Sequence, residues 1–400
     1  MQLSKQARRE LADGWPIVLA AALAIGVGTM GIGFYSLGLF VQPLQAEYGW
    51  SRASVSGAAT FQQIGIFFSA PLVGWLADRW GARPIALASF VATPLALLAL
   101  SRVGSSVAAW DALWLMVSLA GAGTTPAIWA RIVSLRFDAA RGLALGLMLM
   151  GTGTAAILAP ALLGPIFAQS GWRTAVVVMA GTTLAIGLPA SLLVGTADRP
   201  APGERHRGRF EANRQTLMLL LIAFLLGLIV AGLIVHLVPL LIDRGMAATE
   251  AAQTAAIVGV AVLAARLVVG YLFDRFHAPY VAALFLLSPV VAALLLWGGG
   301  PVTIAALMLG LAAGAEVDML AYFTGRYAAL ANYGATYGGV LGIFCLGAGL
   351  GPMLFGAALD GMGGYDAALL GSALVLSLVV VLIATLGRYR NDSIPSVCPG

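Results

Sequence analysis

Three charged side chains interrupt long apolar stretches of this 400-residue sequence and are its clearest candidates for chemistry. Arg266 lies eight residues before Asp274, which ends its apolar stretch, and Glu316 lies ten residues before Arg326. If the stretches are helices, these separations are about 12 Å and 15 Å at a rise of 1.5 Å per residue. Asp318 follows Glu316 by two residues. A charge near the middle of a bilayer costs at least about 2.5–3.5 kcal/mol on insertion scales, so all three are functional candidates.

Arg266 presents a planar, permanently charged group that can hold a carboxylate through two parallel hydrogen bonds. We therefore expect it to anchor an anionic ligand. The alternative is a structural ion pair with Glu316 or Asp318. The two roles are compatible if an acid pairs with Arg266 only while the site is empty.

Glu316 and Asp318 are separated by about 200° around a helix, so we expect them to face different surroundings. Asp318 shares its face with Tyr322, and we assign Asp318 to the cavity because this face is the more polar one. A buried carboxyl group can carry a proton near neutral pH. We expect proton coupling by at least one of the two acids. The alternative is that both are packing polarity, satisfied by neighbouring hydroxyls, amides or an arginine.

The composition places these charges in a membrane. Hydrophobic residues make up 60% of the chain and charged residues 10%, whereas a soluble chain usually carries about 25% charge. This excludes a cytosolic enzyme, a nucleic-acid binder and a disordered chain. The net charge of +5 reflects basic residues at the ends of apolar stretches, so topology explains it better than nucleic acid does. The two cysteines, Cys345 and Cys398, imply neither a disulfide framework nor a metal site.

Apolar runs of about 20 residues predict an all-α membrane protein with twelve spanning helices. The approximate spans are 15–41, 53–77, 84–101, 108–134, 142–168, 174–195, 216–242, 250–273, 280–298, 302–325, 336–359 and 366–387. Twelve spans put both termini on one side. Sixteen Lys and Arg residues fall on that side and four on the other, which makes the termini cytoplasmic by the positive-inside rule.

The two halves of the chain repeat each other. The stretch 74–83 recurs as 270–277 at an offset of 196 residues, Arg136 as Arg326 at 190, and Pro160 as Pro352 at 192. Internal duplication underlies many transporter folds. We expect an N-terminal six-helix bundle at 1–195, a cytoplasmic linker at 196–215, a C-terminal six-helix bundle at 216–387 and a cytoplasmic tail at 388–400.

The loop after the second span resembles the signature of the major facilitator superfamily, Gly-x-x-x-Asp-Arg-x-Gly-x-Arg. The matching residues are Gly74, Asp78, Arg79, Gly81 and Arg83. A finer resemblance is to the monocarboxylate porter and oxalate/formate antiporter branch. It rests on the stretches 13–15, 48–52, 141–144 and 171–173, and on Arg266 in span eight. Eukaryotic members of that branch have a Lys in span one and an Asp four residues before the span-eight Arg. The corresponding positions here are Tyr35 and Val262.

The repeated loops are expected to act as gates. Asp78 can pair with Arg131 at the foot of span four, or cap a helix of the opposing half, because a helix N-terminus favours an anion. Either contact would hold the cytoplasmic side shut. The alternative is that the basic residues only fix topology. In the second copy, Asp274 and Arg275 remain, but His277 and Pro279 replace the second Gly and the second Arg, so we expect a weaker latch.

Several further residues are candidates for contact with a transported solute. His236 lies near the outer end of span seven, although a hydrogen-bonded structural histidine is the alternative. The others are Tyr35, Gln62, Trp129 and Tyr322, although such residues more often serve in packing. The glycine-rich run 26–33 lies inside an apolar span, so helix packing explains it better than dinucleotide binding.

These features predict a secondary transporter of a small organic anion, a monocarboxylate, coupled to protons by alternating access. We expect a monomer in the plasma (inner) membrane of a bacterium, without cofactor, metal or nucleic acid. A second hypothesis is an exchanger or exporter of a drug or a neutral metabolite, in which Arg266 is structural. A third is a membrane receptor that binds its ligand without moving it. The sequence contains no catalytic constellation, which argues against an enzyme.

Overall fold

The computed structural model describes residues 4–194, 210, 212–362, 364–387 and 389. Within these ranges the chain is helical, with short 3-10 and π segments and no strand. Most of the expected linker, 196–215, and of the expected tail, 388–400, lies outside the described residues.

The described helices make the twelve predicted crossings. They are α1 (Lys5–Gly26), α2 (Val41–Tyr48), α3 (Arg52–Trp80), α4 (Ala82–Leu100), α5 (Val107–Ala120), α6 (Pro126–Arg136), α7 (Arg141–Leu193), α8 (Arg214–Asp243), α9 (Ala248–Arg275), α10 (Ala278–Trp297), α11 (Val302–Tyr327), α12 (Tyr333–Met362) and α13 (Asp366–Ala384). The first crossing combines α1 with α2, the fourth combines α5 with α6, and α7 provides two crossings. Nine candidate spans among the described residues are long and apolar enough to cross a membrane, and two of these contain further breaks.

Local backbone chemistry sets these boundaries. Ser4 caps α1 by accepting a hydrogen bond from the Ala7 amide, so the helix begins well before the predicted span. The fifth and sixth crossings run on through α7 and are separated by Gly171 alone, which has φ of 79°. Only glycine adopts this left-handed region without strain, so one residue replaces the loop that the sequence predicts.

The helices form two groups. In the first half α7 packs against α1 and α4, and α3 packs against α5; in the second half α12 packs against α8, α11 against α9 and α13 against α10. The groups meet mainly through α3 against α12 and α7 against α9. We keep the domain boundaries at 1–195 and 216–387 as a proposal consistent with this division.

The first and fourth crossings are both broken, and the breaks are bonded to each other. A π segment, Thr29–Gly33, follows α1, and a 3-10 turn, Ala122–Thr124, separates α5 from α6. The Thr29 amide donates to the Thr124 hydroxyl at 3.1 Å. The Gln62 side-chain amide donates to the Thr29 carbonyl at 2.9 Å. These bonds satisfy backbone groups that a continuous helix would pair internally.

Two pairs of glycines let the halves touch at one face, which we call the inner face because it carries Asp78 and Asp274. A β-carbon on Gly74 would lie 1.9 Å from the Gly334 carbonyl oxygen. A β-carbon on Gly142 would lie 2.3 Å from the Gly270 carbonyl oxygen. At both places only glycine permits the observed approach of the backbones, as in other closely packed membrane helices. The opposite face is the outer face.

Candidate functional site

The centre of the candidate site is an ion pair between α9 and α11. Arg266 Nη1 lies 3.5 Å from Asp318 Oδ2, and the two side chains are 8% and 2% exposed. This distance is long for a charge-assisted hydrogen bond, which is usually about 2.7–2.9 Å. Among the described residues, neither Arg266 Nε and Nη1 nor the Asp318 carboxylate oxygens have a hydrogen-bond partner. The pair is therefore buried, oppositely charged and unsatisfied in its hydrogen bonds.

Residues from three other crossings surround the pair. Gly146 of α7 lies against it, because a β-carbon there would be 2.6 Å from the Arg266 carbonyl oxygen. The half-buried Tyr35, which follows the π segment, lies within electrostatic range of Arg266 and Glu316. Tyr337 of α12 is completely buried and its hydroxyl has no partner among the described groups. Arg266 therefore sits where the two halves meet.

Glu316 is the second acid of α11 near Arg266. Its carboxyl group lies within electrostatic range of both Arg266 and Asp318, although the two acids are about 200° apart around α11. The long arginine side chain allows one guanidinium to act on both. The two acids differ in other respects, since Asp318 is fully buried and ion-paired, whereas Glu316 is half-buried.

Two of the sequence-predicted contact residues bond elsewhere. His236 Nε2 lies 3.0 Å from the Pro352 carbonyl oxygen, and its ring stacks on Phe355. Pro352 is seven residues along α12 from Cys345, the neighbour of Glu316, or about 10 Å towards the outer face. The Tyr322 hydroxyl donates to the Phe273 carbonyl at 2.8 Å, next to Asp274 at the inner face. The structure does not bring either residue to Arg266.

Gln62 and Trp129 are also buried, in the first half. Gln62 bonds the break in the first crossing, but its Oε1 atom has no partner among the described residues. Trp129 is fully buried against Phe90, and its indole nitrogen likewise has no partner in the described part of the chain. A contact between a solute and either residue stays a prediction.

Asp78 ties α3 and α6 to the second half at the inner face. Its Oδ1 accepts a hydrogen bond from Arg131 Nε at 2.8 Å and another from the Gly334 amide at 2.9 Å. Its Oδ2 accepts one from the Ala335 amide at 2.7 Å. Both amides belong to the first turn of α12, where the helix dipole favours a carboxylate. The ion pair and the helix cap, which the sequence offered as alternatives, are both present. We call this arrangement the first clamp.

Asp274 repeats the arrangement with the halves exchanged. Its Oδ1 accepts from the Gly142 amide at 2.6 Å and its Oδ2 from the Leu143 amide at 2.8 Å, in the first turn of α7. We call this the second clamp. It has both backbone bonds of the first clamp despite the altered loop sequence. Among the described residues, Asp274 forms no salt bridge equivalent to the one between Asp78 and Arg131, so the second clamp differs in the missing arginine.

Other inner-face contacts also cross between the halves. Arg141 donates to the Gly325 carbonyl at 3.1 Å, and Arg326 donates to the Asp138 carboxylate at 3.2 Å. At the outer face, by contrast, Glu47 pairs with Arg173 at 2.8 Å within the first half. The cross-links between the halves are therefore concentrated at the inner face, and this face is closed.

The remaining motif residues shape the loops. Gly81 has φ of 86° and turns the chain between α3 and α4. Arg79 lies over the Trp75 ring at 5.5 Å, and Arg275 donates to the Tyr271 hydroxyl at 2.8 Å. Arg83 is half-buried in the first turn of α4. These side chains lie at the inner face beside the clamps, and their part in gating stays a prediction.

Sequence reasoning missed three participants. Tyr337 and Gly146 adjoin the ion pair, and Glu10 accepts hydrogen bonds from the amides of residues 138–140 just before α7. A tyrosine or a glycine in an apolar run carries no local signal of what it faces. Of the three, only Glu10 has a signal in the sequence, because it is an acid close to the first span.

Comparisons with known proteins identify the family and the fold of this chain. A family model described as Major Facilitator Superfamily matches residues 23–352. Human monocarboxylate transporter 11 is 30% identical over 396 residues, which cover 91% of this chain and 81% of that protein. Bovine monocarboxylate transporter 13 is 25% identical over 407 residues, covering 96% and 92%. The Escherichia coli fucose:proton symporter FucP has a TM-score of 0.74 at 17% identity, covering 94% of this chain and 99% of FucP. At that identity the structural likeness speaks for the fold alone.

Proposed function

Because this chain belongs to the Major Facilitator Superfamily, we propose that it is a secondary active transporter of a small monocarboxylate, which moves together with a proton. Membership in this superfamily makes the chain a multi-pass membrane transporter and not an enzyme. The choice of solute and the coupling to protons are our proposal. They are supported by the site and by the relatives named monocarboxylate transporters.

The observation that carries the proposal is the poorly satisfied ion pair at the meeting of the halves. Arg266 has donor atoms without hydrogen-bond partners in the described chain, and its one ionic partner, Asp318, is 3.5 Å away. A guanidinium in this condition gains from binding a carboxylate bidentately. Tyr35 approaches the same guanidinium from the other half. A solute bound there would contact both halves, as alternating access requires.

The proposed cycle follows from the charges. An acid of α11 takes up a proton, which weakens its hold on Arg266. Arg266 then binds the carboxylate of the solute, and the loaded site is close to neutral. A neutral site is favoured because an uncompensated charge in a low-dielectric interior is costly. The halves then rock about the site, and the two clamps at the inner face open.

The same proposal includes the setting of the protein. The excess of Lys and Arg at the inner face supports a cytoplasmic inner face with both termini on that side. We propose that the protein is a monomer in a bacterial plasma membrane. We also propose the domain boundaries given above, with six-helix bundles at 1–195 and 216–387 and a linker at 196–215.

The test is a thermal-shift screen of purified protein with acetate, propionate, lactate and pyruvate at stepped pH. We expect at least one acid to stabilise the protein. Arg266→Ala should raise the Kd for that acid at least thirtyfold, on the order of 2 kcal/mol or more for a desolvated charge partner. Arg102→Ala is the matched control, because Arg102 is exposed and loses the same charge. An Arg266→Ala variant that binds as tightly as the control would refute the proposal.

A transporter for a drug or a neutral metabolite is the second candidate. The observation in its favour is that Arg266 already has an anionic partner in Asp318. In that case none of the four acids would raise the melting temperature, and Arg266→Ala would lower stability without a specific loss of acid binding. The rate of uptake of labelled acid into proteoliposomes under an inward-directed proton gradient, compared with protein-free liposomes, separates the candidates, since only the first predicts faster uptake with the protein present.

A further inference from the structure

The two acids of α11, Glu316 and Asp318, differ in how they interact with the guanidinium of Arg266. Asp318 is its ion-pair partner and is almost completely buried. Glu316 forms no ion pair within 4 Å among the described residues, and its Oε2 atom is buried without a hydrogen-bond partner there. A carboxylate in that position would have Arg266 only at a distance beyond 4 Å, where the guanidinium is already paired with Asp318, and its Oε2 atom would have no donor among the described residues. A protonated carboxyl group would instead have a hydrogen to donate.

In the part of the chain that the structure describes, the surrounding helices supply no second positive charge at the level of the two acids. Besides Arg266, the titratable groups near the two acids are Tyr35, Tyr337 of α12 and Cys345 of α12, all neutral when protonated. The helix α10 contains no Asp, Glu, Lys, Arg or His. The charged residues of α8 lie in its first turn and outer third, Arg131 of α6 is bound to Asp78, and Arg141 begins α7 at the inner face. One cation therefore faces two carboxyl groups.

We propose that Glu316 remains protonated throughout the cycle and donates a hydrogen bond to the bound acid, while Asp318 alone exchanges the coupling proton. This inference rests on the proposed function for its transport role. One carboxylate already neutralises Arg266, and a second ionised carboxyl group would leave the buried site with a net negative charge. Burial of an uncompensated charge is far more costly than burial of a hydrogen-bonded neutral group.

The proton balance is simple. In the empty site Arg266 is paired with ionised Asp318, and Glu316 is neutral. A proton from the outer solution forms an O–H bond on Asp318, and the solute carboxylate replaces Asp318 as the partner of Arg266. At the inner side the solute leaves, the O–H bond breaks, the proton is released, and the first pair forms again. One anion and one proton cross together, so the step is electroneutral.

The same balance narrows the substrate class. The site neutralises one carboxylate and offers the neutral Glu316 and Tyr35 groups to the remainder of the solute. A second carboxylate would find no cation among the described side chains around the site. This supports the choice of a monocarboxylate, made above, over a dicarboxylate.

Uptake measurements test the division of roles. The acid that stabilises the protein best is added outside the proteoliposomes. An inward-directed proton gradient of one pH unit should then drive about tenfold accumulation inside for one proton per anion. Glu316→Gln should raise the half-saturating acid concentration, because Glu316 contacts the solute, but the pH gradient should still drive accumulation, because the coupling proton is carried by Asp318. The Asp318→Asn, Glu316→Gln double variant should lose accumulation. Loss of accumulation in Glu316→Gln alone would overturn the proposal, as would uptake that changes with an imposed membrane potential.

A second measurement does not depend on transport. Infrared spectra of the purified, solute-free protein near neutral pH should show the carbonyl band of a protonated carboxyl group in the wild type, shifted in heavy water. The difference between wild type and Glu316→Gln should contain this band. Identical carbonyl regions in the two proteins would overturn the proposal. If the wild type moves none of the acids, the proposed function fails, and the infrared comparison still decides the protonation of Glu316.

Discussion

The second clamp offers a sharp test of how the inner face is held closed. The perturbation is Asp274→Asn, which preserves the shape of the side chain and removes its charge. In the structure this carboxylate accepts the Gly142 amide at 2.6 Å and the Leu143 amide at 2.8 Å. Asparagine can accept only one of these two hydrogen bonds, because its amide nitrogen is a donor.

The magnitude follows from the bonds that change. Two hydrogen bonds to a charged group contribute about 1.5–3 kcal/mol each, and one neutral bond replaces them with about 1 kcal/mol. The closed inner face should therefore lose about 2–5 kcal/mol relative to the open one. At about 1.4 kcal/mol per factor of ten, the equilibrium should move roughly 30- to 4,000-fold towards opening. Asp78→Asn should move it at least as far, since Asp78 also pairs with Arg131.

The assay is the distance between spin labels on opposite halves. Leu135, near the end of α6, and Phe276, just after α9, are both exposed and serve as label sites once Cys345 and Cys398 are replaced by serine. We expect a single short distance in the parent protein and a second, longer distance in Asp274→Asn.

Asp243→Asn is the matched control. Asp243 also accepts a side-chain hydrogen bond, from Tyr365, but both residues belong to the second half at the outer face. This variant should keep the parent distance. If Asp274→Asn also keeps it, the clamp does not hold the inner face closed and the reasoning from its hydrogen bonds is refuted.

Three further predictions concern packing and the site. Gly142→Ala places a β-carbon 2.3 Å from the Gly270 carbonyl oxygen, so it should lower the melting temperature and open the inner face, whereas Gly164→Ala in the same helix meets nothing within 4 Å and should do neither. Gln62→Leu removes the donor to the Thr29 carbonyl at the break in the first crossing, so it should lower the free energy of unfolding by about 1–3 kcal/mol. The control is Gln63→Leu, at the half-buried neighbouring residue, and an equal loss in that variant would contradict the prediction. Tyr35→Phe should raise the half-saturating acid concentration by less than about tenfold, in keeping with one neutral hydrogen bond, and a loss as large as that of Arg266→Ala would contradict the assignment of the guanidinium as the anchor.

The sequence predicted those features that depend on residues close together in the chain or on the length of an apolar run. Apolar runs of bilayer length predicted the twelve crossings, and the internal repeat predicted two related halves. The loop motif was sufficient to suggest the family, which the comparisons confirm. Charge in an apolar run singled out Arg266, Glu316 and Asp318, because a charge near the middle of a span is costly and is therefore rare outside functional sites.

Only the tertiary structure decided which side chains meet. The sequence placed Glu316 and Asp318 on opposite faces of one helix, yet one guanidinium from α9 acts on both. The sequence listed Tyr322 and His236 together with Tyr35 as candidates for solute contact. In the structure, Tyr322 bonds the Phe273 carbonyl at the inner face, and His236 bonds the Pro352 carbonyl of α12. The sequence predicted a weaker second latch from two replaced residues, and that stays a prediction; the structure shows that Asp274 keeps both backbone bonds and, among the described residues, lacks the arginine partner of Asp78. Helical periodicity fixes the direction in which a side chain leaves the axis of its own helix. The partner of that side chain depends on how helices distant in sequence cross one another, and the packing of the whole chain sets these crossings.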